Sequence, residues 1–148
     1  MIPYPGKTIA DLALRIATDI APATNSNFAQ ADSGLITGLL LAVAQDYERA
    51  VFNPMADIDE IRVLCQQIIE LPEADREKFT AMPACEAFVD AQPRSLMLAD
   101  VTALHAQALN LLIDIHTWAE EHHDNLNLEV WRLLRRHSER HKFDIPGP

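Results

Sequence analysis

Between Ser95 and Asp124, Met97, Val101, Leu104, Ala108, Leu111, Ile115 and Trp118 recur at alternating spacings of four and three. That rhythm belongs to a helix packed along its length against a neighbour. One position round, Leu98, Thr102, His105, Leu109, Leu112, His116, Ala119 and His123 repeat it. Two adjacent seams need a partner on each side, which leaves Asp100, Gln107, Asn110, Asp114 and Glu121 for water. At 1.5 Å per residue the helix would be roughly 40 Å long, the length of a small domain. The segment predicts the central strut of a helical bundle.

The rest of the chain supplies candidate partners. Thr8 with Asp11 resembles a capping box, opening a helix with Ile9, Leu12, Ala13, Ile16 and Ala17 on one stripe. Pro22 should end it near Ile20, and a loop of about ten residues should follow. Asp32 or Ser33 can cap a second helix through Leu35, Ile36, Leu39, Leu40, Val43 and Tyr47, which Asn53-Pro54 should stop. Gly34, Gly38 and Ala42 on its other side would allow close helix approach. Asp57 with Glu60 forms a second capping box before Ile61, Leu64, Cys65, Ile68 and Ile69. Pro72 and Pro83 can each open a short helix, and Asn127 can cap a last one through Val130, Leu133, Leu134, His137 and His141. The tail 143–148 should be irregular. The fold expected is all-α: one domain over residues 1–148, an antiparallel helical bundle of about four to five main helices with short helices between residues 72 and 93.

Composition and charge narrow the function classes. Hydrophobic residues make up 49% and the mean hydropathy is -0.05, which fits a chain with a buried core. Residues 1–131 carry 7 basic against 20 acidic side chains, whereas 132–148 carry 5 against 2. The acidic body disfavours nucleic acid and anionic lipid. The basic helix with Arg132, Arg135, Arg136, Arg140 and Lys142 is where an acidic protein partner could dock, or simply a helix end complementing its dipole. The first residues lack the pattern of a secretory signal, and the uncharged run 33–45 is too short to span a bilayer, so no membrane association is expected. Cys65 and Cys85 form neither a disulfide framework nor a zinc motif, which points to a reducing, cytoplasmic setting. Cys65 falls on an apolar stripe as a small hydrophobe, and Cys85 has no base or ligand beside it in sequence.

Chemistry-bearing residues concentrate in the last two helices. His116 and Glu120 are four apart, and Glu120 and His123 three apart. On the final helix His137 and His141 are four apart, on its apolar stripe. If the two helices form an antiparallel hairpin turning near 125–126, His116 lies level with Leu134 to His137, and the five side chains could share a divalent metal or iron. The same histidines could equally be a pH-sensitive packing cluster. H-x3-E at 116–120 followed by H-x3-H at 137–141 resembles the middle of the hemerythrin-like pattern, in which a helical bundle holds a di-iron centre. The resemblance covers 26 residues. That pattern also takes an earlier histidine on a separate helix and a later H-x4-D; His105 shares a helix with His116, and no H-x4-D follows. No phosphate-binding glycine loop and no nucleophile elbow occurs. Trp118 continues the first seam, while Trp131 lies beside the last helix's stripe, in the core or at a subunit contact. The leading expectation is a non-catalytic binding or interaction module, a homo-oligomer using the heptad seams and a surface around Leu41 and Phe52. The alternative is a metal-binding bundle acting as sensor, store or oxidoreductase through His116, Glu120, His123, His137 and His141.

Overall fold

The computed structural model describes residues 4–76 and 78–144. They form α1 (Pro5–Arg15), a π-helical segment (Ile16–Ile20), α2 (Ala21–Ala23), α3 (Asn27–Arg49), α4 (Phe52–Glu70), α5 (Glu73–Arg76), α6 (Met82–Val89), α7 (Leu98–His122) and α8 (Asp124–Arg140). No strand occurs among the described residues, and the fold is all-α. No helix among them is long and apolar enough to cross a membrane. The expected helical turn from Pro72 through Lys78 and the expected irregular tail 143–148 fall partly outside the described residues, at 77 and at 145–148, as do positions 1–3.

Two compact units emerge: one holds the described residues up to Ala50 with Phe143 and Asp144, the other Val51–Lys142. In the first, α1 starts one turn earlier than its capping box suggested. Pro5 occupies the first helical turn, where its fixed φ fits and its missing N–H is not needed. Thr8 is inside the helix, its hydroxyl donating to Tyr4 O at 3.0 Å. Nor does Pro22 end the helical path at Ile20. A proline clashes with the carbonyl four residues back, and the wider π turn over Ile16–Ile20 absorbs that clash before α2 continues to Ala23. Only Thr24 to Ser26 separate α2 from α3, not the longer loop expected, because Ser26 caps α3 by accepting from the Ala29 N–H at 3.3 Å.

α1 and α3 pair as an antiparallel hairpin: Gly6 packs against Glu48, and the Thr37 hydroxyl lies 3.4 Å from Ala13 O. Small residues set this approach, but not the stripe expected. Gly6, Ala13 and Ala44 are buried, whereas Gly34 and Gly38 are exposed with nothing within 4 Å of where a Cβ would stand. Asp144 is tied to α3 through Gln45, whose amide spans its backbone carbonyl (2.8 Å) and N–H (2.9 Å), and through an ion pair with Arg49 at 2.6 Å.

The second unit carries the main core. Ile58, Ile61, Leu64, Cys65 and Ile68 of α4 meet Leu104, Ala108, Leu111, Leu112, Ile115 and Trp118 of α7, with Cys85 and Phe88 from α6 and Leu126, Val130 and Leu133 from α8. Full burial of such a side chain contributes about 1.5–3 kcal/mol. Successive helices here run antiparallel. Arg62 Nη2 of α4 reaches Ala91 O just beyond α6 at 2.8 Å, while Cys65 meets Cys85, so α4 and α6 oppose each other. The α7–α8 link has no spacer: His123 ends α7 and caps α8, its Nδ1 accepting from the Leu126 N–H at 3.1 Å. Asn127, the expected cap, lies inside α8. The first seam of α7 turns inward at Val101, Leu104, Ala108, Leu111, Ile115 and Trp118, as its rhythm predicted, whereas the second buries only Leu112 and Ala119, and Met97, Leu98 and Thr102 are exposed.

Candidate functional site

The chemistry of the second unit centres on Asp57, which is fully buried. Phe52 opens α4 with Pro54 in its first turn, so Asp57 is inside the helix and not its cap. Asp57, Ile61, Leu64 and Ile68 follow one buried stripe, which delivers a carboxylate to a position that packing reserves for an aliphatic side chain. A lone buried charge there would be prohibitively costly, and two other helices supply partners. His105 Nε2 of α7 donates to Asp57 Oδ2 at 2.9 Å, and His137 Nδ1 of α8 donates to the same oxygen at 2.8 Å. Arg140 Nη2 takes Oδ1, and its Nη1 reaches Glu60 Oε1 at 2.6 Å. Arg136 Nε completes Glu60 at 3.0 Å, and Asn53 Nδ2 donates to Arg140 O at 3.1 Å. Because an ionised carboxylate only accepts, both facing imidazole nitrogens carry hydrogen.

Burial by itself would push the Asp57 carboxyl up. The hydrogen bonds from His105, Arg140 and His137 outweigh it and hold the group well below the usual carboxylate range. Arg140 is pulled down by burial and raised overall by its bonds to Asp57 and Glu60, so the pair stays charged. A depressed carboxylate contributes stability that is complete above its unfolded value of about 3.9 and is lost as pH falls from there toward the folded value. The urea midpoint of the protein should therefore drop below about pH 4 more steeply than that of Asp57→Asn, which has no carboxyl to protonate. Parallel curves for the two proteins between pH 7 and pH 3 would contradict this account.

The five expected ligands do not meet at one point. His137 and His141 do converge, with ring centroids 4.4 Å apart, and they do so on Asp57. His141 Nε2 stands 3.6 Å from Asp57 Oδ2. His116 and Glu120 form a separate pair, Nε2 to Oε1 3.4 Å, and the His116 ring meets Trp131 edge-on at 5.2 Å. His123 is engaged as the α8 cap. The reason is register. With His123 serving both helices, the turn centres about two residues earlier than 125–126, so His116 faces Trp131, while His105 and His137 meet through Asp57. Trp118 is buried against Phe79 at 5.0 Å, whereas Trp131 is half-exposed.

Two other sequence candidates resolve without chemistry. Cys85 has the Cys65 thiol as its hydrogen-bond partner, and with burial this pushes the Cys85 thiol far up, away from thiolate reactivity. Four cations of the basic helix already face carboxylates within the chain: Arg132 with Glu129, Arg136 and Arg140 with Glu60, and Lys142 with Glu139. No family model, curated protein or solved structure matches the chain.

Proposed function

We propose that the chain is a non-catalytic interaction module that assembles with copies of itself through the α1–α3 hairpin. The observation that carries this is the missing core of the first unit. α3 leaves Phe28, Leu35, Ile36, Leu39, Val43 and Tyr47 exposed on one broad face, and α1 leaves Leu12 and Leu14 exposed, while the hairpin buries only Gly6, Ala13 and Ala44. Ordering each residue costs about 1–2 kcal/mol, and burying three such small residues returns little of it. Exposed apolar faces of this extent mark contact surfaces.

A second copy is the occupant its charge favours. From Asn27 to Gln45 the only charged residue is Asp32, so two such faces can meet without the repulsion that a net charge of -10 would otherwise impose. A two-fold pairing would bring four amphipathic helices around one new core. This replaces the α7 seams as the assembly surface, since those seams pack internally. A docking role for the basic helix is the weaker reading, four of its five cations being paired within the chain. The unbridged thiols support a cytoplasmic setting.

Sedimentation velocity should give a species at least twice the 16.6 kDa chain mass, and a monomer throughout the micromolar range would refute the proposal. Gly38→Ala adds a finer reading. In a water-exposed helix that change stabilises by about 1 kcal/mol, but where a second helix comes close the added methyl weakens contact. Because Gly38 lies on the side of α3 away from Leu35, Leu39 and Val43, we expect a gain in melting temperature with association unchanged, and weaker self-association would place the contact on the glycine side instead.

A further inference from the structure

We infer that Asp57, His137 and His141 form a binding site for one divalent transition ion, zinc or ferrous iron, at the end of the second unit where α8 terminates. Asp57 Oδ2 and one ring nitrogen of each histidine lie within 4.8 Å of one another. A tetrahedral ion with bonds of about 2.0–2.1 Å holds its ligand atoms about 3.3 Å apart. The distances from Oδ2, 2.8 Å to His137 Nδ1 and 3.6 Å to His141 Nε2, bracket that spacing. Two histidines and one carboxylate are a donor set suited to these ions.

The hydrogen-bond accounting supports the same conclusion. Three imidazole nitrogens crowd one carboxylate oxygen, at 2.9, 2.8 and 3.6 Å. That oxygen has two lone pairs, and the third nitrogen is held outside hydrogen-bond reach. An ion between Asp57 Oδ2, His137 and His141 uses every group: His105 keeps its hydrogen bond to Oδ2, and Arg140 holds Oδ1, so the carboxylate is oriented from both oxygens. Binding needs no net loss of a proton from neutral imidazole, because the hydrogen on His137 Nδ1 moves to Nε2 as the metal takes the Nδ1 lone pair. The His141 side chain is 38% exposed, so a fourth position faces water, which is the arrangement of an exchangeable site and not of a closed structural one.

The test is titration of the chelator-stripped, full-length chain with Co²⁺, followed by visible absorbance and by displacement with Zn²⁺. One equivalent should bind with the bands of low-coordinate cobalt, and the melting temperature should rise with Zn²⁺ concentration. His141→Ala should weaken binding roughly a hundredfold or more and abolish the zinc-dependent rise, while metal-free melting stays near wild type because this ring makes no hydrogen bond to Asp57. His116→Ala, at a separate pair, should bind as wild type. Absence of saturable binding at micromolar cobalt, or full retention of binding and of the zinc effect in His141→Ala, would overturn the assignment.

Discussion

Asp57→Ala should destabilise the protein by about 3–5 kcal/mol, the cost of removing one member of a buried ionic network and leaving the others uncompensated. At about 2–4 °C per kcal/mol for a chain of this size, the melting temperature should fall by roughly 10 °C. The large effect follows from convergence. His105 from α7 and His137 and Arg140 from α8 all spend their hydrogen bonds on one carboxylate of α4, so its loss loosens three helices together. Asp59, two residues along on the solvent side and paired with Arg62, supplies the contrast: Asp59→Ala should cost no more than about 1 kcal/mol. Asp57→Ala combined with Arg140→Ala should cost less than the two changes summed, because the second removes the charge stranded by the first. Urea denaturation of the wild type and these four variants checks this, and a loss below about 1 kcal/mol for Asp57→Ala would show that the network does not hold the bundle.

The contrast between α7 and Asp57 shows what the sequence could and could not disclose. The first seam of α7 was legible because burial along a helix repeats, and Val101 through Trp118 lie where that repeat puts them. Asp57 was misplaced by an ambiguity of local patterns. Asp57-x-x-Glu60 is a capping box, and Asn53-Pro54 is a helix stop, but a proline equally suits a first turn, and that is the use made of it in α4. The deciding signal was present. Asp57 stands in phase with Ile61, Leu64 and Ile68, a charge on an apolar stripe, and such a charge needs partners from elsewhere in the fold. Which partners they are depends on register between helices. A shift of about two residues in the turn, set by the dual cap at His123, moved His116 to Trp131, and His137 meets His105 through Asp57. The same limit applies to α3, whose stripe reads as a core helix although its apolar face is exposed.

That exposed face carries the second large effect. Leu39 is 59% exposed and sits mid-stripe between Ile36 and Val43, so in a two-fold assembly each copy contributes one Leu39 to the contact. Leu39→Asp then acts twice. Each new carboxylate must be desolvated or left without its neighbour's packing, at about 2 kcal/mol, so the assembly loses about 4 kcal/mol and its dissociation constant rises roughly a thousandfold. Helicity should fall with it, because α1 and α3 alone bury only Gly6, Ala13 and Ala44 and have no core to keep them ordered. Far-ultraviolet circular dichroism across a dilution series would follow both effects at once. Val63→Asp is the matched control: it places the same charge on an exposed valine of α4, in the other unit, and should leave association and helicity at wild-type values. If Leu39→Asp also leaves both unchanged, the α3 face is a water-exposed surface despite its composition. If Val63→Asp disrupts assembly instead, the contact belongs to the second unit, and the hairpin must draw its stability from something other than a copy of itself.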